Sequence, residues 1–160
     1  MPADDQLLRE QLAELLRGEG AHVKIEDALK DFPVEKRAVK PVGSPHNAWQ
    51  LLEHMRMTLD DLLDFCENSN YLAPKFPEGY WPKNEKPNSA EEWDKSVAAV
   101  EAALKQFEEM VSNPKSNLYA KIPWGDGQTL LREVLIAADH NSYHLGQFVL
   151  LRKQLEVWNG

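Results

Sequence analysis

Two histidines four residues apart, His140 and His144 in DHNSYHLGQ, are the residues whose type and spacing point most directly to chemistry. Residues i and i+4 share one face of an α-helix, one turn apart, so two imidazoles placed this way can grip a single divalent cation. The third ligand that the sequence offers is His54, in WQLLEHMRM. Three neutral imidazoles suit zinc, nickel, copper or iron(II), and zinc or nickel lead as the expected divalent metal ion. Three protein ligands leave coordination positions open, the arrangement of catalytic rather than structural zinc. An ion held so lowers the pKa of its water or of a coordinated thiol. Asn141 stands where a zinc protease of the H-E-x-x-H type has its glutamate, which disfavours that chemistry. An H-x₃-H pair also arises by chance, so spacing alone leaves metal binding open. His22 and His46 fall in loop-like segments and are expected to face solvent or cap a helix.

The elements that must position these residues are helical. Counting about 100° per residue, His140 and His144 lie roughly 40° apart, at the border of an apolar arc made by Leu130, Val134, Leu145, Phe148 and Val149. Glu133 and Gln147 lie one heptad either side of His140 on the same stripe and could support a ligand or contact a substrate. On the helix that carries His54, the same count puts Asp61 in line two turns on, with Thr58 between them. Asp61 and Glu133 are therefore the candidate catalytic carboxylates, either orienting a ligand or moving a proton; the alternative is a solvated or salt-bridged helix face. Cys66 falls off that stripe and reads as buried packing.

Four long helices are expected. Leu7, Leu8, Leu12, Leu15 and Leu16 give helical spacing over 4–17, and a weaker pattern follows at Ile25, Ala28, Leu29 and Phe32. Ser44-Pro45 resembles an N-cap with proline in the first turn, opening a helix through about Cys66. Ser89 and Glu92 fit a capping box at the start of a helix over about 90–112. The last helix runs over about 128–155. Residues 70–88 have four prolines, no period, and the aromatics Tyr71, Phe76, Tyr80 and Trp81. Such a loop is either a crossover strapped over an apolar edge or a lid on a pocket. No segment alternates strongly enough to argue for a strand.

At 160 residues the chain suits one domain, 1–160, with a full core. Its net charge of −8 and lack of a Lys/Arg cluster argue against nucleic acid and against an anionic membrane surface as partners. No apolar run approaches the roughly 20 residues that cross a bilayer. The acidic, polar start MPADDQLLREQ does not read as a signal peptide. A single cysteine excludes an internal disulfide framework, and a cytoplasmic location is expected.

The stretch from His140 to Gln147, HNSYHLGQ, resembles the signature of the DinB/YfiT-like superfamily, and WQLLEHM resembles that family's first ligand motif. The segment GAHVKIEDALKDF and the EGYWP loop are similar to one bacterial subgroup, so the resemblance covers nearly the whole chain. It implies an all-α four-helix bundle, up-down-down-up, with a long crossover loop between the second and third helices. It implies a divalent metal held by His54, His140 and His144, and a homodimer. Relatives of this kind include thiol-dependent S-transferases and a mycothiol-dependent maleylpyruvate isomerase, so the resemblance implies a small-molecule substrate and a low-molecular-weight thiol. Two alternatives use the same ligands: a hydrolase working through metal-bound water, and a non-catalytic metal-binding dimeric stress protein.

Overall fold

The computed structural model describes residues 3–158. Among them are five α-helices: α1 (Ala3–Leu16), α2 (Ile25–Leu29), α3 (Ala48–Glu67), α4 (Ala90–Ser112) and α5 (Leu130–Gln154). Short 3₁₀ turns lie at Val34–Lys36 and Glu78–Tyr80. The described residues hold one isolated antiparallel bridge, Lys121 with Thr129, and no strand. None of their helices is long and apolar enough to cross a membrane.

The four long helices bury apolar faces against one another. Trp49 and Met55 of α3, Trp93 and Phe107 of α4, and Phe148 of α5 are almost wholly buried. Phe32, after α2, fills the space between Trp93 and Phe148 at centroid distances of 5.3 and 5.4 Å. Taking each large side chain out of water is worth about 1.5–3 kcal/mol, so this cluster dominates the local energetics. Two arginines tie chain ends to helix ends. Arg9 donates to the carbonyls of Val111, Asn113 and Ser116, and Arg152 to those of Ala28, Lys30 and Val157. Each uses its guanidinium fork to satisfy carbonyls that helix termini leave without partners.

Two helix starts differ from expectation. α3 is capped by Asn47, not by Ser44: the Asn47 side chain accepts from the Gln50 amide, and the Gln50 side chain accepts from the Asn47 amide. This reciprocal box satisfies two orphan donors at once, which Ser44 cannot do because asparagine, not Glu or Gln, stands three residues on. Ser44 instead donates to the His46 carbonyl. At α4, Ser89 accepts from the Glu92 amide as expected, but the Glu92 carboxylate turns to Asn88 rather than back to Ser89.

α3 and α5 pack on each other and carry the three histidines. At the other end of this pair, the Trp124 indole donates to the Phe65 carbonyl at 2.7 Å. The segment between α3 and α4 crosses back over α3. The Asn47 amide donates to Glu85 of that segment at 2.8 Å, and its 3₁₀ turn lies against the helix.

Candidate metal centre

His54 of α3 and His140 and His144 of α5 converge. One imidazole nitrogen from each lies within 4.8 Å of the others. The Nε2 atom of His54 is 3.1 Å from Nε2 of His144 and 3.1 Å from Nε2 of His140. His54 and His144 are buried, and His140 is half-buried. The i, i+4 spacing gives the α5 pair its common face, and packing of α3 against α5 supplies the third ring.

The other ring nitrogens show which tautomers are present. Nδ1 of His54 donates to the Tyr80 carbonyl at 2.6 Å, and Nδ1 of His144 donates to Gln147 Oε1 at 3.1 Å. These acceptors place the protons on Nδ1 and leave bare lone pairs on both Nε2 atoms. Two lone pairs therefore face each other at 3.1 Å. A proton on Nε2 of His140 can satisfy one of them and not both. A cation shared by all three satisfies the set. Tetrahedral coordination at about 2.0–2.1 Å separates its donor nitrogens by roughly 3.3 Å, close to what these rings show. The donor set thus fits a divalent ion, and Tyr80 and Gln147 hold the rings of His54 and His144 in the way outer partners hold ligands in metal sites.

The electrostatics agree with neutral ligands. Burial, reinforced by the neighbouring rings, pushes His140 down from the usual 6.5 to about 3 and His144 to about 4. Burial lowers His54 too, against the opposing pull of the Tyr80 carbonyl. Uncharged imidazoles at neutral pH are the form that binds metal.

An aromatic wall from the segment after α3 covers one side. Trp81 lies flat on His54, centroids 4.0 Å apart and planes 1° apart. His46 stacks on the outer face of Trp81 at 3.9 Å. The expectation that His46 faces solvent or caps a helix is corrected by this contact: it is half-buried in a three-ring stack, because Trp81 offers an apolar face that water wets poorly. His22 is exposed, as its loop position suggests, and bonds to Ser142 Oγ at 3.1 Å. Tyr143, largely exposed, meets His144 edge-on at 4.9 Å.

The structure divides the two candidate carboxylates. Asp61 accepts from the hydroxyls of Tyr71 (2.7 Å) and Tyr80 (2.9 Å). Burial and the Asp61 carboxylate push the Tyr80 hydroxyl up to about 12 and raise Tyr71 as well. Glu133 stands apart from the histidines. It is 1% exposed and accepts from Arg132 at 2.6 Å. Seven residues along a helix is about 10.5 Å of rise, so sharing a stripe with His140 does not bring Glu133 to the ion. Asn141, between His140 and His144, is 7% exposed with both amide atoms unpartnered, and lines a crevice beside Leu15, His22 and Leu145. Tyr80, Trp81 and His46 were the contributors that spacing could not supply; the aromatic density of 71–81 was the signal for the first two, and His46 had none.

A family model described as the DinB superfamily matches residues 19–148. No curated protein and no solved structure matches the chain.

Proposed function

We propose that this chain, which belongs to the DinB superfamily, holds a divalent metal ion, zinc or nickel, through His54, His140 and His144 and acts as a thiol-dependent S-transferase on a small electrophile. The convergence of three Nε2 atoms, two of them without a proton, carries the reading. When bound, the ion lowers the pKa of a coordinated thiol and so makes a nucleophile near neutral pH. The chain's own residues keep its ligands neutral and oriented. The Tyr80 carbonyl and Gln147 hold the Nδ1 protons, and Trp81 keeps water from one face of His54. The thiol comes from a low-molecular-weight cosubstrate. The single cysteine of the chain, Cys66, lies twelve residues along α3 from His54, and burial pushes it up to about 12.

The chain is one domain over 1–160, a cytoplasmic homodimer, with its four long helices up-down-down-up and the long crossover between the second and third of them. Three pairings support the helix directions. His54 meets His144 while Phe65 meets Trp124, so α3 and α5 run opposite ways. Gln106 of α4 donates to Glu67 of α3 at 2.7 Å, late in both helices. Arg9 of α1 meets Asn113, and Arg17 meets Glu108, so α1 opposes α4.

Elemental analysis of the purified protein, followed by a thiol panel with a chromogenic electrophile, tests the function. About one metal per chain is expected, with turnover that needs thiol and disappears in His54→Ala. Ester cleavage that needs no thiol and dies with a chelator would replace the transferase by a hydrolase. Metal that melts with the fold and supports no turnover would leave a binding protein.

A further inference from the structure

The carboxylate of Asp61 serves neither metal nor ion pair among the described residues. Its neighbours on α3 have partners on the helix or at its cap: Asp60 pairs with Arg56, and Asp64 accepts from the C-cap Asn68. Asp61 instead uses both oxygens on the crossover. Oδ1 takes the Tyr71 hydroxyl and Oδ2 the Tyr80 hydroxyl, from residues nine apart in a segment with no regular structure of its own between them except one 3₁₀ turn. Tyr80 then touches α3 a second time. Its carbonyl accepts from Nδ1 of His54 at 2.6 Å. Asp61 and His54 are two helical turns apart, about 10.5 Å of rise, so Tyr80 staples two points of one helix face with its side chain and its backbone. Trp81 follows directly and lies on the His54 ring.

We propose that Asp61 is a positioning residue that latches residues 71–81 onto the first metal ligand, so that closure of this strap and binding of the ion at the three histidines strengthen each other. The proposal rests on the three-histidine metal reading above. Asp61 fixes where Tyr80 sits. The Tyr80 carbonyl fixes which nitrogen of His54 carries the proton. That leaves Nε2 bare and aimed at His140 and His144. A ring free to turn or to change tautomer offers the ion a worse donor, and outer partners of metal ligands are worth about 10–100-fold in affinity. Coupling of this kind is reciprocal: if the strap tightens metal binding, metal must tighten the strap by the same factor.

The full-length protein and its Asp61→Ala, Asp61→Asn and Tyr71→Phe variants are titrated with cobalt(II), read by its visible absorption, and amide exchange over 71–81 is followed with and without zinc. Expected in the unaltered protein is slower exchange of the strap with zinc. Asp61→Ala should bind cobalt about 10–100-fold more weakly, with a shifted visible band and a strap indifferent to zinc. Asp61→Asn keeps an acceptor and should recover part of the affinity. Tyr71→Phe removes one hydroxyl from the crossover rather than a group of α3, and should give a smaller loss in the same direction, which keeps the test valid if Asp61→Ala folds poorly. Unchanged cobalt affinity and band in Asp61→Asn and Tyr71→Phe, with the strap merely looser, would overturn the latch and reduce Asp61 to a loop anchor. An unaltered protein that binds neither cobalt nor zinc would instead sink the metal reading, and the latch with it.

Discussion

Trp81 lies flat against His54, with ring centroids 4.0 Å apart and planes 1° apart. A residue from the irregular crossover thus forms a wall of a site whose nitrogens come from two regular helices. His46 closes the stack from the outside at 3.9 Å, so Trp81 has an imidazole on each face. Trp81→Leu should weaken zinc binding several-fold and destabilise the metal-free protein by about 1–2 kcal/mol, since such ring pairs contribute about 0.5–1.5 kcal/mol beyond the area they bury. Zinc titration and thermal melts of the same sample check it. Unchanged affinity would show that the stack only packs the crossover.

Removing a ligand should separate metal binding from folding. His54→Ala, His140→Ala and His144→Ala are each expected to lose more than about 100-fold in zinc affinity, because two nitrogens remain of three. Their metal-free melting temperatures should stay close to that of the unaltered protein. In the absence of an ion, truncating His54 or His144 also relieves the two lone pairs that face each other at 3.1 Å. A calorimetric scan with and without zinc reads both effects. A large loss of metal-free stability in all three would mean that the histidines are core residues first.

Metal-free stability should fall in mild acid. His140 and His144 are pushed down to about 3 and about 4 by burial, whereas the unfolded chain titrates them near 6.5. Between those values the unfolded state binds more protons, so stability is present above about pH 6.5 and is lost as pH falls toward 4. The slope is at most about 1.4 kcal/mol per pH unit per histidine. Melting temperatures at pH 7, 6 and 5 should descend, and the rise produced by zinc should shrink over the same range as protons compete for the ligands. A flat profile would contradict buried neutral rings.

Cys66 should resist thiol reagents at neutral pH in the folded protein. Burial, with Glu133 and Glu67 nearby, pushes it up to about 12, so little thiolate exists to react. Labelling should become fast only on unfolding, and Cys66→Ala should keep its zinc and any turnover. Rapid labelling of the native protein, or loss of metal in Cys66→Ala, would bring this thiol back into the site.

Arg132→Ala should cost stability and leave the metal alone. Its loss strands the Glu133 carboxylate, which is 1% exposed and bonded to Arg132 at 2.6 Å. About 1–3 kcal/mol is expected, reduced by the exposure of the arginine itself. Denaturant titration measures the first and zinc titration the second. A drop in zinc affinity would return Glu133 to the candidate catalytic groups.

The sequence by itself determined what helical phase determines. The His140–His144 pair, Gln147 one turn beyond it, the border position of His54 and the four long helices all follow from a repeat of 3.6 residues, which is a local property of the chain. Phase says nothing about which groups meet across the fold, so it put Glu133 and Asp61 on the histidine stripes without telling what either would bond to. Tertiary structure decided that. Glu133 went to Arg132, and Asp61 to two tyrosines that reach it only once the crossover folds back over α3. It also chose Asn47 over Ser44 as the cap of α3, since the Asn47 side chain bonds to Gln50 and to the carbonyls of Ala38 and Glu85 at once. The strap has no period for a sequence to display. Its contacts join residues far apart in the chain, and only packing of the helices brings His54, Tyr80 and Trp81 to one place.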